Sequence, residues 1–484
     1  MLPSVTAGPG RGNAPICLGC LRSTGVHYIP NAESLVHKTD EIYIELSACS
    51  KCSWPVCSKE CEESLDHKEE CKIFCSNNLK WEASFTEKTH KLDFIGPLRL
   101  LLKLKENPKL KNLLKYDMKT EARRKRNQER FGPTADKDVI QVIQEKCKIK
   151  EFTEADIESA MGLFELYSVI MDCGAESVHE DTPSIGHSCS PNTYKNSLSN
   201  FGVIYRASRP IKSGEVITTA SQGILDLCNL FRRRKLLKEF LVDCQCTRCC
   251  DGSEFGTGYG GLLCNKCSMG GVLNPTDSRN ESSDWKCDKC GETKKGHECV
   301  PILEDLKKKI DEAVADYKIG TYLFWESVLQ GDGEWKHCSP NSQFVVEAMK
   351  QICYIYQYEP QFAKPSFDEL RVKDRYCKEI LSLYKKLFPG WSYTGSLIEY
   401  EEIHANQTMI NRLTEEGVDQ ATRDVYIYKT FDYCSALIEF LKLEEDRLMI
   451  EKVVMMNQLA VEAKEEQRQK VYLWMMDDEE EEDW

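Results

Sequence analysis

The chain has 484 residues, of which 41% are hydrophobic, 29% charged and 9% aromatic, and its formal net charge at pH 7 is -14. This composition excludes a disordered or fibrous chain, and the length predicts several domains because single cores stop growing beyond roughly 250–300 residues. The negative charge argues against binding to nucleic acid through the overall field of the protein. A local basic run, residues 123–126, is predicted to be the solvated face of a helix, with local nucleic-acid contact as the alternative.

Cysteine is the residue type that the composition marks out, with 25 in the chain. No apolar run has the length of a membrane span, and the first fifteen residues lack the pattern of a cleaved signal peptide. We therefore expect a protein of the cytoplasm, the nucleus or both. Thiols stay reduced in those compartments, so the cysteines indicate metal binding rather than a disulfide scaffold.

Eight candidate metal ligands lie near the N-terminus in four close pairs. They are Cys17 and Cys20, Cys49 and Cys52, Cys57 and Cys61, and His67 and Cys71. Two residues three or four positions apart can reach one ion, so four pairs predict two zinc sites whose four positions are filled by protein. A short helix starting near Ser58 is expected, since His67 and Cys71 fall on one helical face. The alternative is eight unrelated reduced residues.

The middle of the chain mixes two periodicities. Apolar spacing between residues 92 and 170 predicts helices, whereas FGVIYRASRPIKSGEVITT, residues 201–219, predicts a hairpin that turns at Pro210 and Gly214. Further on, CxxC pairs at Cys264 with Cys267 and at Cys287 with Cys290 have zinc-ribbon spacing and predict another zinc site. Three other cysteines have no evident partner and are expected to pack in the interior: Cys173, Cys228 and Cys250.

From about residue 300 the apolar spacing predicts a helical array of antiparallel pairs. Isolated cysteines in this region are expected to be core thiols: Cys338, Cys353, Cys377 and Cys434. The last residues, DDEEEEDW, predict a solvated acidic tail.

Three stretches carry a resemblance to a known family. WPVCSKECEESLDHKEEC, residues 54–71, resembles a MYND zinc finger. HSCSPN (187–192), the AxRxIxxGE pattern (207–215) and RRRKLLKEFLVDCQCTRC (232–249) resemble the core of SET-domain protein-lysine methyltransferases and its post-SET cysteines. In this order the motifs are similar to the SET and MYND family, most closely its arthropod members, over nearly the whole chain.

The resemblance implies an α+β fold. A small irregular SET β-core is interrupted by a MYND finger and a helical insert, and a mostly helical C-terminal domain follows. The implied segments are a short N-terminal segment largely without the SET N-terminal strands (1–16), the MYND finger (17–71), the helical SET insert (72–165), the core SET region (166–225), the post-SET and zinc-ribbon-like region (226–298), the helical C-terminal domain (299–475) and the acidic tail (476–484).

The resemblance also implies how the metal ligands divide among zinc ions. The implied sets are Cys17, Cys20, Cys57 and Cys61 for the first zinc, Cys49, Cys52, His67 and Cys71 for the second, and Cys189, Cys244, Cys246 and Cys249 for the third. With the ribbon-like set, a fourth zinc is expected. MYND fingers dock short proline-containing peptides, so protein partners are implied for the finger and the helical domain. We expect no binding to a membrane and no direct contact with nucleic acid.

The family transfers a methyl group from S-adenosylmethionine (SAM) to lysine, yet this chain departs from the pattern at several positions. The family's NHSC reads GHSC here, with Gly186 in place of the amide. The family's tyrosine falls at Ala220 or Ser221, and the aromatic residue before the post-SET cysteines falls at Val242. GPGRG, residues 8–12, is a poor substitute for the family's glycine turn, because two short strands do not fit before Cys17.

Two cofactor contacts of the family remain, His187 and Asn192, and no catalytic residue is assigned. His187 is equally interpreted as a structural histidine that orders its turn. We therefore expect weak or absent methyl transfer and a zinc-stabilised protein-binding scaffold, with transcriptional regulation as its setting. An active SAM-dependent protein-lysine methyltransferase is the alternative, and a nucleic-acid-binding zinc protein is a weaker third. A longer form of the chain could supply the glycine turn. It would still have Gly186 and Ser221 at the positions where the family has an amide and a tyrosine.

Overall fold

The computed structural model describes most of the chain up to residue 419. The described residues are 1–10, 13–22, 45–83, 90–171, 174–198, 200–220, 228–315, 321–359, 362 and 364–419, with single positions 423, 426, 430, 434 and 437. They form many helices and several small sheets, which confirms the predicted α+β class.

The strands are short, and within the described residues they form five small sheets. In chain order they are β1 (Val5–Ala7), β2 (Ser47–Ala48), β3 (Pro55–Val56), β4 (Val169–Ile170), β5 (Glu176–Val178), β6 (Gly186–His187), β7 (Thr193–Ser197), β8 (Val203–Ala207), β9 (Thr218–Thr219), β10 (Leu262–Leu263), β11 (Val272–Pro275), β12 (Trp285–Cys287) and β13 (Thr293–Lys294). One sheet has the order β1-β5-β4 and another the order β10-β11-β12-β13, while β2 pairs with β3, β6 with β9 and β7 with β8.

The first sixteen residues contribute a strand to the three-stranded sheet β1-β5-β4. β1 pairs antiparallel with β5, and Val5 lies opposite Val178. Val5 and Ala7 are buried while Thr6 between them is half-buried, as the alternation of a strand against a core requires. One short strand thus precedes Cys17, where the sequence predicted that two would not fit.

The hairpin predicted at Pro210 and Gly214 is wrong. β8 pairs with the preceding strand β7, with Val203 opposite Ser197, and β9 lies parallel to β6 instead. The chain turns between these strands near Gly202, whose N–H donates to the Asn200 side chain. The Pro210 and Gly214 segment is a loop that carries the chain from one small sheet to another.

The helices account for the rest of the architecture. In chain order they are α1 (Lys59–Glu62), α2 (Leu65–Ser76), α3 (Ile95–Glu106), α4 (Thr120–Phe131), α5 (Ala135–Gln141), α6 (Glu154–Tyr167), α7 (Leu230–Glu239), α8 (Thr247–Cys250), α9 (Gly296–Ala315), α10 (Thr321–Gln330), α11 (Gln343–Tyr358), α12 (Phe367–Leu387) and α13 (Tyr393–Glu415). Thr153 and Ser366 close capping boxes at the starts of α6 and α12. Among the described helices, none has both the length and the apolar character that a bilayer crossing requires.

The C-terminal helices confirm the helical pattern read from the sequence up to residue 415. The thiols predicted as core residues are buried, each at most 9% exposed: Cys338, Cys353, Cys377 and Cys434. Beyond residue 419 only single positions are described, so the rest of the predicted helical array and the acidic tail fall outside the described residues.

The prediction that residues 123–126 form a solvated helix face is wrong for Arg123, whereas Arg124 and Lys125 are exposed. Arg123 lies on α4 and is fully buried, with ion pairs to Asp136 at 3.1 Å and to Glu165 at 3.2 Å. Arg126 also pairs with Glu165, and Arg124 donates to Glu158 at 2.8 Å. Carboxylates of α5 and α6 therefore neutralise the arginines and let this face of α4 pack against its neighbours.

Candidate metal centres and the SET-like site

The first cluster consists of Cys17, Cys20, Cys57 and Cys61, whose sulfurs all lie within 4.8 Å of one another. The Cys57 sulfur is 3.5 Å from that of Cys20 and 3.5 Å from that of Cys61. A zinc tetrahedron with Zn–S bonds of about 2.3 Å has edges of about 3.8 Å, so the spacing fits a zinc ion. It is too long for a disulfide, whose sulfurs are about 2 Å apart.

Short elements bring these four sulfurs together. Cys17 and Cys20 lie in a tight turn, and Cys57 follows β3 directly, with its N–H 3.3 Å from the Cys17 sulfur. Cys61 is on α1, and the Ser58 side chain accepts from the Cys61 N–H at 3.3 Å. The predicted helix does begin after Ser58, but it ends at Glu62, and His67 and Cys71 lie on the separate helix α2. A Cβ on Gly19 would lie 2.5 Å from the Cβ of Cys61, so only glycine allows this approach.

The second cluster consists of Cys49, Cys52, His67 and Cys71, all buried and again mutually within 4.8 Å. The sulfurs of Cys49 and Cys71 are 3.9 Å apart, and the Cys52 sulfur is 3.7 Å from Nε2 of His67. The corresponding edges of a tetrahedral zinc site are about 3.8 Å and 3.6 Å. His67 and Cys71 lie one turn apart on α2, as their spacing predicted.

A buried ion pair stands behind this cluster, and the sequence analysis missed it. The Glu70 carboxylate lies 3.7 Å from Nδ1 of His67 and forms a salt bridge with Arg99 of α3. Arg99 also donates to the backbone oxygens of Leu18, at 2.6 Å, and Thr6, at 3.1 Å. Burial alone would raise the pKa of Glu70, but the charge of Arg99 holds that pKa below its usual value. Glu70 therefore stays ionised and can orient the imidazole for a metal.

The third cluster joins Cys189 of the HSCSPN turn to Cys244, Cys246 and Cys249 beside α8. The sulfurs of Cys189 and Cys244 are 3.9 Å apart. Hydrogen bonds from Cys189 and then Cys244 lower the pKa of Cys249 to about 7. The pKa of Cys246 is lowered as well, whereas the pKa values of Cys189 and Cys244 are raised. A set of four cysteine sulfurs suits structural zinc.

Two buried arginines surround the third cluster. Arg233 approaches the Cys249 sulfur at 3.8 Å, and Arg248 donates to the Cys189 backbone oxygen at 3.4 Å. Both pair with the buried carboxylate of Glu254. Nothing in the sequence indicated that Arg233 and Arg248 are buried, beyond the presence of basic residues among the post-SET cysteines.

The fourth cluster contains three of its four predicted ligands, Cys264, Cys287 and Cys290. The sulfurs of Cys264 and Cys290 are 3.8 Å apart, and the cysteines flank strands of the β10 to β13 sheet. Cys267 is outside this mutual set, although its sulfur and that of Cys287 both border Gly271.

The remaining cysteines without predicted partners differ in burial. Cys228 is buried, as expected, whereas Cys250 is exposed, so the packing prediction is wrong for Cys250. Cys250 occupies the last residue of α8, which faces away from the cluster that its neighbour Cys249 joins. Cys173 lies outside the described residues.

The two predicted cofactor contacts both have local structural partners. Nε2 of His187 is 3.4 Å from the Cys189 sulfur, and burial lowers the pKa of His187, which favours the neutral ring. The Asn192 amide donates to Glu215 at 3.0 Å and to the Val216 oxygen at 2.8 Å. Its Oδ1 accepts from the Thr218 N–H at 2.8 Å. Asn192 is 1% exposed and fastens the 209–218 loop beside β7.

The positions where the chain departs from the family are placed as follows. A Cβ on Gly186 would meet Thr218 at 3.4 Å, which is ordinary contact, so the backbone does not demand glycine there. Val242 is half-buried and packs against the second core cluster, and Ala220 is half-buried after β9. Ser221 and part of GPGRG, residues 11–12, lie outside the described residues.

The helices, the small sheets and the cysteine clusters that could hold zinc are consistent with the architecture of SET and MYND proteins. The chain is 24% identical over 373 residues to SET domain-containing protein SmydA-8, isoform A, of Drosophila melanogaster, covering 72% of this chain and 74% of that protein. It is 22% identical over 361 residues to isoform B, covering 72% and 75%. No family model matches the chain. The chain is thus similar to proteins of the SET and MYND family, which confirms the resemblance seen in its motifs.

Proposed function

We propose that this protein is a zinc-stabilised scaffold that binds other proteins, built on a SET fold whose SAM site is degraded. The carrying observation is the engagement of Asn192, whose side-chain amide donates twice and accepts twice, always with partners in the 209–218 loop. A side chain held in this way supports that loop, and a cofactor would have to compete with four hydrogen bonds of about 1 kcal/mol each.

His187 supports the same proposal. Its Nε2 lies against the sulfur of Cys189, a predicted zinc ligand, which suits an imidazole that orders the turn around the third cluster. At position 186, directly before His187, this chain has glycine where the family has an amide side chain. A larger side chain would make only ordinary contacts there, so space does not explain the glycine. Val242 offers no aromatic face for an adenine ring.

Zinc would be held by the four sets of ligands described above, and when bound it cross-links segments that are distant in sequence. The protein's own residues then position those segments: Glu70 orients His67, and Arg233 approaches the sulfur of Cys249. On the family resemblance we propose that the finger docks proline-containing peptides. The same resemblance supports a role in transcriptional regulation, in the nucleus or the cytoplasm. It also supports the domain boundaries predicted from the sequence.

Calorimetric titration of the full, zinc-loaded chain with SAM tests the proposal. We expect no binding at micromolar concentrations in protein whose zinc content has been measured first. Micromolar binding, together with methyl transfer to a lysine peptide, would establish the alternative, an active protein-lysine methyltransferase.

A second titration tests the scaffold role. A proline-containing peptide should bind the zinc-loaded chain and lose its affinity after chelation of zinc. A panel of such peptides that binds equally well to the chelated protein, or not at all to the loaded one, would count against docking through the finger.

A further inference from the structure

A fifth thiol lies beside the second cluster. Cys75 is on α2, four residues after Cys71, and the two sulfurs are 3.9 Å apart. Cys71 is 5% exposed, whereas the side chain of Cys75 is exposed to solvent. An exposed thiol thus borders a sulfur that the cluster uses as a metal ligand, and neither the sequence motifs nor the family resemblance assigns Cys75 a role.

The positions of the two residues on the helix permit a bond between them. Residues four apart on a helix have Cα atoms about 6 Å apart, within the range of roughly 4.4–6.8 Å that disulfides span. Their Cβ atoms are about 5–6 Å apart in a regular helix, more than the roughly 3.5–4.5 Å of a relaxed disulfide. The last turn of the helix must therefore loosen.

Cys75 lies in the final turn of α2, so the loosening is confined to the end of the helix. α2 ends at Ser76, and Asn77 closes it with an N–H that donates to the oxygens of Ile73 and Cys75. The N–H groups of Asn78 and Leu79 also donate to this turn, to the oxygens of Cys75 and Phe74, and these bonds must give way when the turn distorts. A disulfide formed at the expense of helix geometry is strained, and strained disulfides are reduced readily. The pair is suited to reversible rather than permanent oxidation.

We propose that Cys75 makes the second cluster an oxidation-sensitive metal site. A peroxide oxidises the Cys75 thiol to a sulfenic acid, with the peroxide reduced and one water released. The Cys71 sulfur then attacks the sulfenic sulfur: an S–S bond forms, the S–O bond breaks, and the departing hydroxide takes a proton and leaves as water. Cys71 no longer coordinates the metal, and two thiols have given up two electrons in all.

The consequence is loss of metal from one cluster. With Cys71 oxidised, three ligands remain, Cys49, Cys52 and His67, and a closed four-ligand zinc site becomes an open one. Phe74 is on the same helix, and its ring stacks on that of Trp54 with centroids 4.4 Å apart. This stack would loosen when the end of the helix distorts. A reductant that cleaves the bond restores the ligand. This inference rests on the zinc occupancy proposed above.

Cys250 provides a matched control. Like Cys75 it is exposed and lies four residues after a predicted zinc ligand, here Cys246. The Cys250 N–H donates to the Cys246 oxygen at 3.0 Å, but the Cys250 sulfur is directed to the Gln245 backbone oxygen at 3.5 Å. Cys250 thus shares the exposure and the spacing of Cys75, whereas its sulfur is directed to a backbone oxygen rather than to the sulfur of the ligand.

The test compares zinc release from the wild-type chain, Cys75→Ser and Cys250→Ser under dilute hydrogen peroxide, followed with a chromogenic chelator. We expect the first zinc to leave Cys75→Ser about fivefold more slowly than wild type, and Cys250→Ser to match wild type. Mass spectrometry of the oxidised wild-type chain should show a Cys71–Cys75 cross-link that dithiothreitol removes. Equal release from wild type and Cys75→Ser, or release without the cross-link, would overturn the inference alone. Absence of zinc from this cluster before peroxide is added would overturn the inference and the proposed occupancy together.

Discussion

At the scale of single residues, the buried charges decide how the cysteine-rich segment meets the SET-like core. Arg99 of α3 contacts Glu70 of α2, the Leu18 oxygen in the first cysteine turn and the Thr6 oxygen of β1. One guanidinium thus ties three segments together. Buried arginines suit this task because their five donors can satisfy several acceptors at once.

Replacing Arg99 with methionine should destabilise the protein strongly. The substitution keeps the volume of the side chain but leaves the Glu70 carboxylate buried and unpaired, and breaking such a pair costs about 3–5 kcal/mol. The free energy of unfolding, measured with denaturant, reports the loss. The double variant Arg99→Met with Glu70→Gln removes the unpaired charge, so it should recover more than half of the lost free energy of unfolding. If Arg99→Met alone were within about 1 kcal/mol of wild type, the ion pair would not be a main support of the fold.

Glu176 of β5 should make stability depend on pH near neutrality. Burial and, after it, the charges of Glu165 and Asp93 raise the pKa of Glu176 to about 8, from an ordinary value of 4.5. The folded state therefore keeps a proton that the unfolded state releases between these values. The stabilisation is complete below about pH 4.5 and is lost as pH rises through 8, by at most about 1.4 kcal/mol per pH unit.

The variant Glu176→Gln isolates this effect. Its amide cannot ionise, so its stability relative to wild type should rise steadily from pH 5 to about pH 8 and then level off. Denaturant unfolding of both proteins across that range gives the difference curve. A difference that stays constant with pH would mean that Glu176 titrates normally in the folded protein.

At the scale of elements, the sequence predicted the helices and the grouping of cysteines better than the strand pairing. Ligand spacing restricts which residues can share an ion, and α2 places His67 and Cys71 one turn apart whatever surrounds it. The strands lacked such a constraint. Pro210 and Gly214 were read as a hairpin turn, yet β8 pairs with β7 because the chain already turns near Gly202.

The burial of Arg123 could not be read from its neighbours in sequence either. Its partners, Asp136 and Glu165, are 13 and 42 residues away and lie on other helices. A basic run looks solvent-exposed until the packing of α4 against α5 and α6 is known. The same holds for the pair of Glu70 with Arg99, which joins residues 29 positions apart.

The turn that carries Cys17 and Cys20 should tolerate no side chain at Gly19. A Cβ there would lie 2.6 Å from the Cys61 backbone oxygen, so Gly19→Ala pushes the turn away from α1 and opens the first cluster. We expect elemental analysis of the purified variant to find about one zinc fewer per chain than wild type. Gly186→Ala is the matched control, since its Cβ would meet nothing closer than 3.4 Å and its zinc content should not change. Equal zinc in wild type and Gly19→Ala would contradict the predicted crowding.

At the scale of the whole molecule, the described side chains form several separate cores that depend on the clusters to different degrees. The second core contains sulfurs of the third and fourth clusters beside Trp285 and the helices α9 to α11. The third core is centred on α12 and α13, with Cys377, Ile380 and Ile403, and includes no predicted metal ligand. Arg248 connects the two, because its guanidinium lies 4.7 Å over the ring of Phe388.

Removing zinc should therefore unfold the molecule in part rather than as a whole. Thiolates that lose their ion repel one another, so the segments 45–71 and 244–290 should exchange amide hydrogens rapidly once a chelator is added. The helices α12 and α13 should keep most of their protection, since apolar contacts and the buried salt bridge of Lys373 with Glu401, 2.6 Å apart, hold them without metal. Hydrogen exchange read by mass spectrometry, before and after chelation and again after zinc is restored, resolves these regions. If α12 and α13 lose protection at the same chelator concentration as the cysteine segments, the cores are one cooperative unit, and the metal sites support the entire fold.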